Sequence, residues 1–194
     1  MLTTRDMVHV ALFAAIMAAL GLMPPIPVGF VPVPITAQSM GVMLAGAILG
    51  AKRGALAIVL FLALVAVGLP LLSGGRGGLA VFVGPSAGYL VGFVAGAFVI
   101  RWLVQRRLPA YPLWWGGLAN VVGGVLVVYA IGIPVQALVL GTDGVVATTI
   151  AAVAFLPGDL LKVVVATAVA AAVHRAVPDL VPSRRPARDR VAAR

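Results

Sequence analysis

The chain is a string of apolar segments, most near the length of a bilayer crossing, separated by prolines, glycine clusters and short basic runs. A membrane helix needs about 20 mainly apolar residues, with a range of about 17–25. Six segments read this way: residues 7–23, 36–50, 54–69, 85–105, 113–132 and 157–176. Composition closes the soluble alternative. The chain is 62% hydrophobic and 10% charged, whereas soluble domains run near 45–50% apolar and about 25% charged. A water-soluble fold of this size leaves too much surface wet to hide so many apolar side chains.

The punctuation sets the expected borders. The first segment ends at Pro24-Pro25, in a proline-rich stretch to Pro34 that resists helix. The second is short, and Lys52-Arg53 is expected to make a tight turn into the third, which Pro70 stops. A glycine-rich loop follows from Ser73 to Gly78. The fourth opens on Pro85, since a first-turn proline lacks only an N–H that has no helical partner. The fifth is expected to end before Pro134. The stretch from Val135 to Phe155 is broken by Gly141-Thr142-Asp143-Gly144 and reads as an outer loop with one or two short helical pieces. The sixth runs from Pro157 to Ala176. Residues 1–177 thus read as one six-helix membrane domain. The basic stretch 178–194 reads as a disordered cytoplasmic tail. With five further spans behind it, the first segment reads as a retained helix rather than a signal peptide.

Charge gives an orientation. The net charge is +9, but the basic residues sit at the ends of apolar runs and in the tail. They are not interleaved with stacking aromatics, so a nucleic-acid partner is not expected. With both termini in the cytoplasm, Arg5, Lys52, Arg53, Arg101, Arg106, Arg107 and Arg175 fall inside, as the positive-inside rule requires. Arg76 is the one cation expected in an outer loop.

Several chemistries are excluded. Without cysteine there is no thiolate site or disulfide. His9 and His174 are too far apart in sequence to suggest a local metal-ligand pair. There is no Glu, and neither Lys52 nor Lys162 ends a phosphate-binding glycine loop. No nucleophile–base pair is visible, so an enzyme is not expected, nor is a cofactor. If ATP drives this protein, another subunit hydrolyses it.

The polar exceptions point to a ligand. Asp159 and Lys162 lie three apart in the first turns of the sixth segment, on one face. Charges within a membrane segment usually pair or line a cavity. A structural salt bridge and a ligand-holding pair both fit. Arg76, flanked by Gly74, Gly75, Gly77 and Gly78, adds a second outer cation whose fork suits a carboxylate. Gly84-Pro85-Ser86-Ala87-Gly88-Tyr89 adds a helix start and a ring able to stack, although an interfacial aromatic is the commoner role of such a tyrosine. Gln38 lies at the same level, and Asn120 reads as interhelical glue. Ala11, Ala15 and Ala19 form a small-residue stripe on the first segment, suited to packing within the chain or against a partner.

These residues fall in three ordered blocks. Pro32-Val33-Pro34-Ile35-Thr36-Ala37-Gln38, with Leu44-Ala45-Gly46 through Gly54-Ala55-Leu56-Ala57, is similar to the first block of the BioY family. Gly74-Gly75-Arg76-Gly77-Gly78 through Gly84-Pro85-Ser86-Ala87-Gly88-Tyr89 resembles the second. Leu156-Pro157-Gly158-Asp159-Leu160-Leu161-Lys162 resembles the third. Some members carry an Asn in the glycine loop and an Arg after the aromatic, where this chain has Arg76 and Leu90. The resemblance implies a six-helix biotin-specific S component of an energy-coupling factor (ECF) transporter in a prokaryotic cell membrane. It further implies a T-type transmembrane coupling protein and ABC-type ATPases as partners. By the same resemblance Asp159 and Lys162 are ligand residues, and Ala11, Ala15 and Ala19 face the coupling protein; Arg76, Tyr89 and Gln38 join the expected ligand set on their own chemistry and position. The readings left beside it are an S component for another vitamin and an accessory subunit that binds no ligand.

Overall fold

The structure is a computed structural model that describes residues 2–28, 31–141 and 145–177. The expected tail and the Thr142–Gly144 part of the expected outer loop lie outside the described residues. Helix α1 spans Thr4–Gly21, earlier than the expected 7–23. A capping box moves its start: Thr3 Oγ1 accepts from the Asp6 amide at 3.2 Å, and the Thr3 amide donates to Asp6 Oδ2 at 2.9 Å. The proline-rich stretch forms a two-stranded antiparallel hairpin, β1 Ile26–Val28 and β2 Val31–Ile35, with Ile26 opposite Ile35.

Helix α2 (Gln38–Leu49) and helix α3 (Ala51–Ala66) meet at a single residue, Gly50. The expected turn at Lys52-Arg53 is therefore corrected. Gly50 has φ +101°, a backbone state costly for any residue with a Cβ, and this frees Lys52 and Arg53 to join the first turn of α3. Helix α3 accordingly ends at Ala66 rather than near Leu69. After a 3-10 turn at Leu79–Phe82, helix α4 covers Ala87–Val104.

The largest correction concerns Pro134. Helix α5 (Leu113–Val121) passes through a π-helical turn, Val122–Val127, into helix α6 (Val128–Leu140), and Pro134 lies inside α6. A proline removes one backbone donor. Ending a helix in apolar surroundings strands several backbone groups, at several kcal/mol each, so the helix continues. The expected outer loop is thereby reduced. Its first residues belong to α6, and helix α7 (Val145–Ala152) with a 3-10 turn (Val153–Phe155) leads directly into helix α8 (Leu156–Ala176).

Four helical stretches are long and apolar enough to cross a membrane: Thr4–Gly21, Ala87–Val104, Leu113–Leu140 and Thr148–Ala176. Helix α2 is shorter and almost wholly buried, packed between α1, α3, α4 and α8. Met17, Met43, Leu49, Ile58, Phe61 and Ile100 form the centre of the core. Outward faces are apolar too, as with Leu126, Leu160, Leu161 and Val164. That is the arrangement expected of helices surrounded by lipid.

A glycine seam lets α4 close on the long α5–α6 helix. A Cβ on Gly96 would lie 2.5 Å from the Gly123 carbonyl oxygen, and one on Gly92 would lie 3.0 Å from Val128 Cα. Such four-residue spacing of small residues brings membrane helix backbones together.

The helices also sort the charges. Arg53 Nε bonds Asp6 Oδ1 at 2.9 Å, joining the starts of α1 and α3. His174 Nε2 lies 3.0 Å from the Ala47 carbonyl, joining the ends of α2 and α8. Arg101, Arg106 and Arg107 sit at or just beyond the end of α4. Basic residues thus collect at one end of the bundle, opposite the starts of α2, α4 and α8.

Candidate ligand pocket

At that opposite end a pocket opens among α2, α4, α6, α8 and the glycine-rich loop. It is open at its mouth, and its lining is mostly apolar with a few convergent polar groups, as in small-molecule sites.

One wall is the start of α8. Pro157 is placed in its first turn, and Asp159 follows, 6% exposed, where a helix N-terminus favours negative charge. Lys162 comes one turn later, and its Nζ lies 2.9 Å from Asp159 Oδ1. Neither group is closed in a simple pair. Asp159 Oδ2 accepts from the Tyr129 hydroxyl at 2.5 Å, and Lys162 Nζ donates to Ser39 Oγ at 3.0 Å. An ammonium has three donors, so one remains for the pocket that Lys162 lines. The carboxylate likewise keeps acceptor capacity beyond the two bonds it receives.

The facing wall comes from α4 and α6. Tyr89 is buried and donates to Gln136 Oε1 at 2.7 Å. Its ring meets Tyr129 edge to face, with centroids 6.3 Å apart, a favourable geometry for two quadrupoles. Leu90, Phe93, Val128, Phe155 and Leu72 make the apolar lining. Gly124, in the π turn, also lines the pocket, and a Cβ there would lie 2.7 Å from Met43 Cε.

The mouth is formed by the loop after α3. Leu72 and Arg76 exchange backbone hydrogen bonds at 3.0 and 3.2 Å, which folds the glycine run back on itself. The Arg76 side chain donates to the Ser73 carbonyl at 3.3 Å and to Ser86 Oγ at 3.4 Å. Gln38 lies at the base of this loop. Its amide nitrogen donates to the carbonyls of Met17 and Leu71, and its oxygen accepts from the Ser73 amide.

Asp159, Lys162, Arg76, Tyr89 and Gln38 thus all reach one pocket. The resulting chemistry is one carboxylate, two cations, two phenols and an apolar lining, suited to a small molecule with both N–H donors and an acidic end. Ala11, Ala15 and Ala19 stand elsewhere: they are exposed on α1, while Phe13, Ala14 and Met17 of the same helix face the core. Asn120 is buried and donates to Thr167 Oγ1 at 3.0 Å, linking α5 to α8. Tyr129, Ser39 and Gln136 are additions to the expected set, and Ser86, expected only as part of the helix start, meets Arg76. A phenol and a carboxamide inside long apolar runs were the available signal for Tyr129 and Gln136. Ser39 carries none. Among the described residues no group of three His, Cys, Asp or Glu gathers as a metal site.

The BioY family model matches residues 1–179. The chain belongs to the BioY family. It is 53% identical over 170 residues to the biotin transporter BioY of Rhizobium etli, covering 85% of this chain and 90% of that protein. It is 47% identical over 173 residues to the biotin transporter BioY of Rhodobacter capsulatus, covering 85% and 90%. The crystal structure of the S-component for biotin from an ECF-type ABC transporter superposes with a TM-score of 0.84 at 31% identity, covering 88% of this chain and 91% of that one. The chain is therefore a membrane protein with the S-component fold, and its pocket is set in that fold.

Proposed function

We propose that this protein captures biotin from the outer side of the cell membrane as the S component of an ATP-driven ECF transporter. The observation that carries the reading is the Asp159–Lys162 pair, held by Tyr129 and Ser39 yet still lining an open, largely apolar pocket. Biotin has ureido N–H donors, an apolar body and a terminal carboxylate. Asp159 accepts from the ureido group, and Lys162 and Arg76 take the carboxylate. Tyr89 packs on the ligand body, and Gln38 completes the wall at the loop base. Apolar residues hold the remainder.

Six spans with both termini in the cytoplasm complete the picture, α2 and α3 adding two shorter crossings to the four long stretches. This puts the basic end inside, in keeping with the positive-inside rule, and the pocket outside. The exposed Ala11, Ala15 and Ala19 face of α1 then offers close approach to a T-type coupling protein, which works with ABC-type ATPases. The chain has no phosphate-binding loop of its own. Ala15→Leu is expected to abolish co-purification with the coupling protein while leaving biotin binding intact.

The deciding experiment is a calorimetric titration of purified protein with biotin, with thiamine and riboflavin as controls. Selective binding at a stoichiometry near one is expected. Tight binding of another vitamin instead would keep the class and change the ligand. No binding by folded protein would leave an accessory subunit whose Asp159–Lys162 pair is structural.

A further inference from the structure

Gln38 is 3% exposed and Ser73 is 1% exposed, and together they knot three segments. The Gln38 carboxamide donates to Met17 O at 3.2 Å and to Leu71 O at 2.9 Å, and accepts from the Ser73 amide at 2.9 Å. Both of its amide hydrogens are therefore committed to backbone carbonyls. The Ser73 hydroxyl donates to Met23 O at 3.1 Å, and the Ser73 carbonyl accepts from Arg76 Nε at 3.3 Å. One continuous path of hydrogen bonds thus runs from the last turn of α1, through Gln38 and Ser73, to the Arg76 guanidinium. Gly21 leaves the room for it, since a Cβ there would lie 2.8 Å from Gln38 Nε2. Arg76 itself is exposed, on a loop rich in glycine, and besides Ser73 its side chain is held only by a longer bond to Ser86 Oγ at 3.4 Å.

We infer that Gln38 and Ser73 are positioning residues that aim Arg76 at the acidic end of the ligand, by fastening its loop to the end of α1. Burial gives the clamp its stiffness, because an unsatisfied amide or carbonyl there has no water to turn to. This deepens the proposed function and rests on its assignment of Arg76 to the carboxylate.

The test compares biotin with biotinamide, whose carboxylate is replaced by a neutral amide. Gln38→Met keeps the side-chain volume and removes every hydrogen bond. It is expected to weaken biotin binding about tenfold, the scale of one hydrogen bond to a charged group, and to weaken biotinamide binding much less, by no more than the change in the pocket wall itself. In an Arg76→Ala background, Gln38→Met should add no further loss. Equal weakening of both ligands, or full additivity with Arg76→Ala, would overturn the inference in favour of a purely structural Gln38. If Arg76→Ala alone leaves biotin affinity intact, the carboxylate assignment fails as well, and the single variant identifies that failure. Ser73→Ala, which removes only the hydroxyl bond to Met23, runs the same comparison should Gln38→Met not fold, and the same selective loss is expected at smaller size.

Discussion

The two ends of this bundle treat polar groups in opposite ways. At the pocket end all but the exposed Arg76 are largely buried and held by specific partners: Asp159 by Lys162 and Tyr129, Tyr89 by Gln136, Gln38 by three backbone groups. At the basic end most cations stay in solvent, with Arg101, 3% exposed, the buried exception. Arg106 lies over the Trp102 ring at 3.5 Å and Arg107 near Trp114 and Trp115, with both arginines, Trp102 and Trp114 exposed. A charge that keeps its water needs no fixed partner, whereas one that loses it does. The basic end can therefore orient the protein with loosely placed residues, while the pocket needs each atom in register.

That contrast can be broken most severely at Asp159. Asp159→Ala leaves the Lys162 ammonium buried without its counter-charge, and loss of one partner of such a pair costs about 3–5 kcal/mol. Biotin titration should show binding reduced beyond about a hundredfold, equivalent to roughly 2.7 kcal/mol or more, and thermal unfolding should be earlier. Asp159→Asn and Lys162→Ala should each weaken binding severely; near-native affinity in both would remove the pair from the site. Tyr129→Phe deletes one hydrogen bond to a charged oxygen, an effect of about 1.5–3 kcal/mol, and biotin affinity is expected to fall accordingly.

The seam that closes the pocket should respond next. Gly123→Ala places a methyl 2.5 Å from Ile100 Cγ1 and 2.6 Å from the Gly96 carbonyl oxygen. Overpacking of this kind costs about 1–3 kcal/mol, to be read from the melting temperature in detergent, with biotin affinity reduced by less than in the Tyr129 variant. The smallest effects belong to the basic end. Arg106→Ala removes one exposed cation–π contact of about 0.5–1 kcal/mol, and Arg53→Gln removes a solvent-screened surface pair of little weight. Neither should change biotin affinity. A large effect of either would mean that the two ends are coupled.

The parts of the site legible in sequence were the groups whose presence in an apolar run needs a reason. Asp159 and Lys162 announced themselves by charge and three-residue spacing, and Arg76 by standing apart from the other cations. Tyr129 escaped because phenols are ordinary in membrane segments, and only the tertiary fold brings it 30 residues across to Asp159. Pro134 misled because its local cost is plain in sequence, while the larger cost of exposing backbone in an apolar setting depends on where the helix runs. Gly50 hid the true turn beside a more conspicuous basic pair.

By itself the sequence determined the solvent this protein lives in, the end that carries its positive charge and the chemistry available to a ligand. Those follow from composition and one-dimensional spacing, which govern transfer from water. Tertiary structure alone decided that Gln38 ties loop to helix, that Ala11, Ala15 and Ala19 face outward while Ala14 faces in, and that Asp159 is shared between an ammonium and a phenol. Those depend on which helices touch, and hydrogen bonds and close packing act only between atoms already brought within a few ångströms.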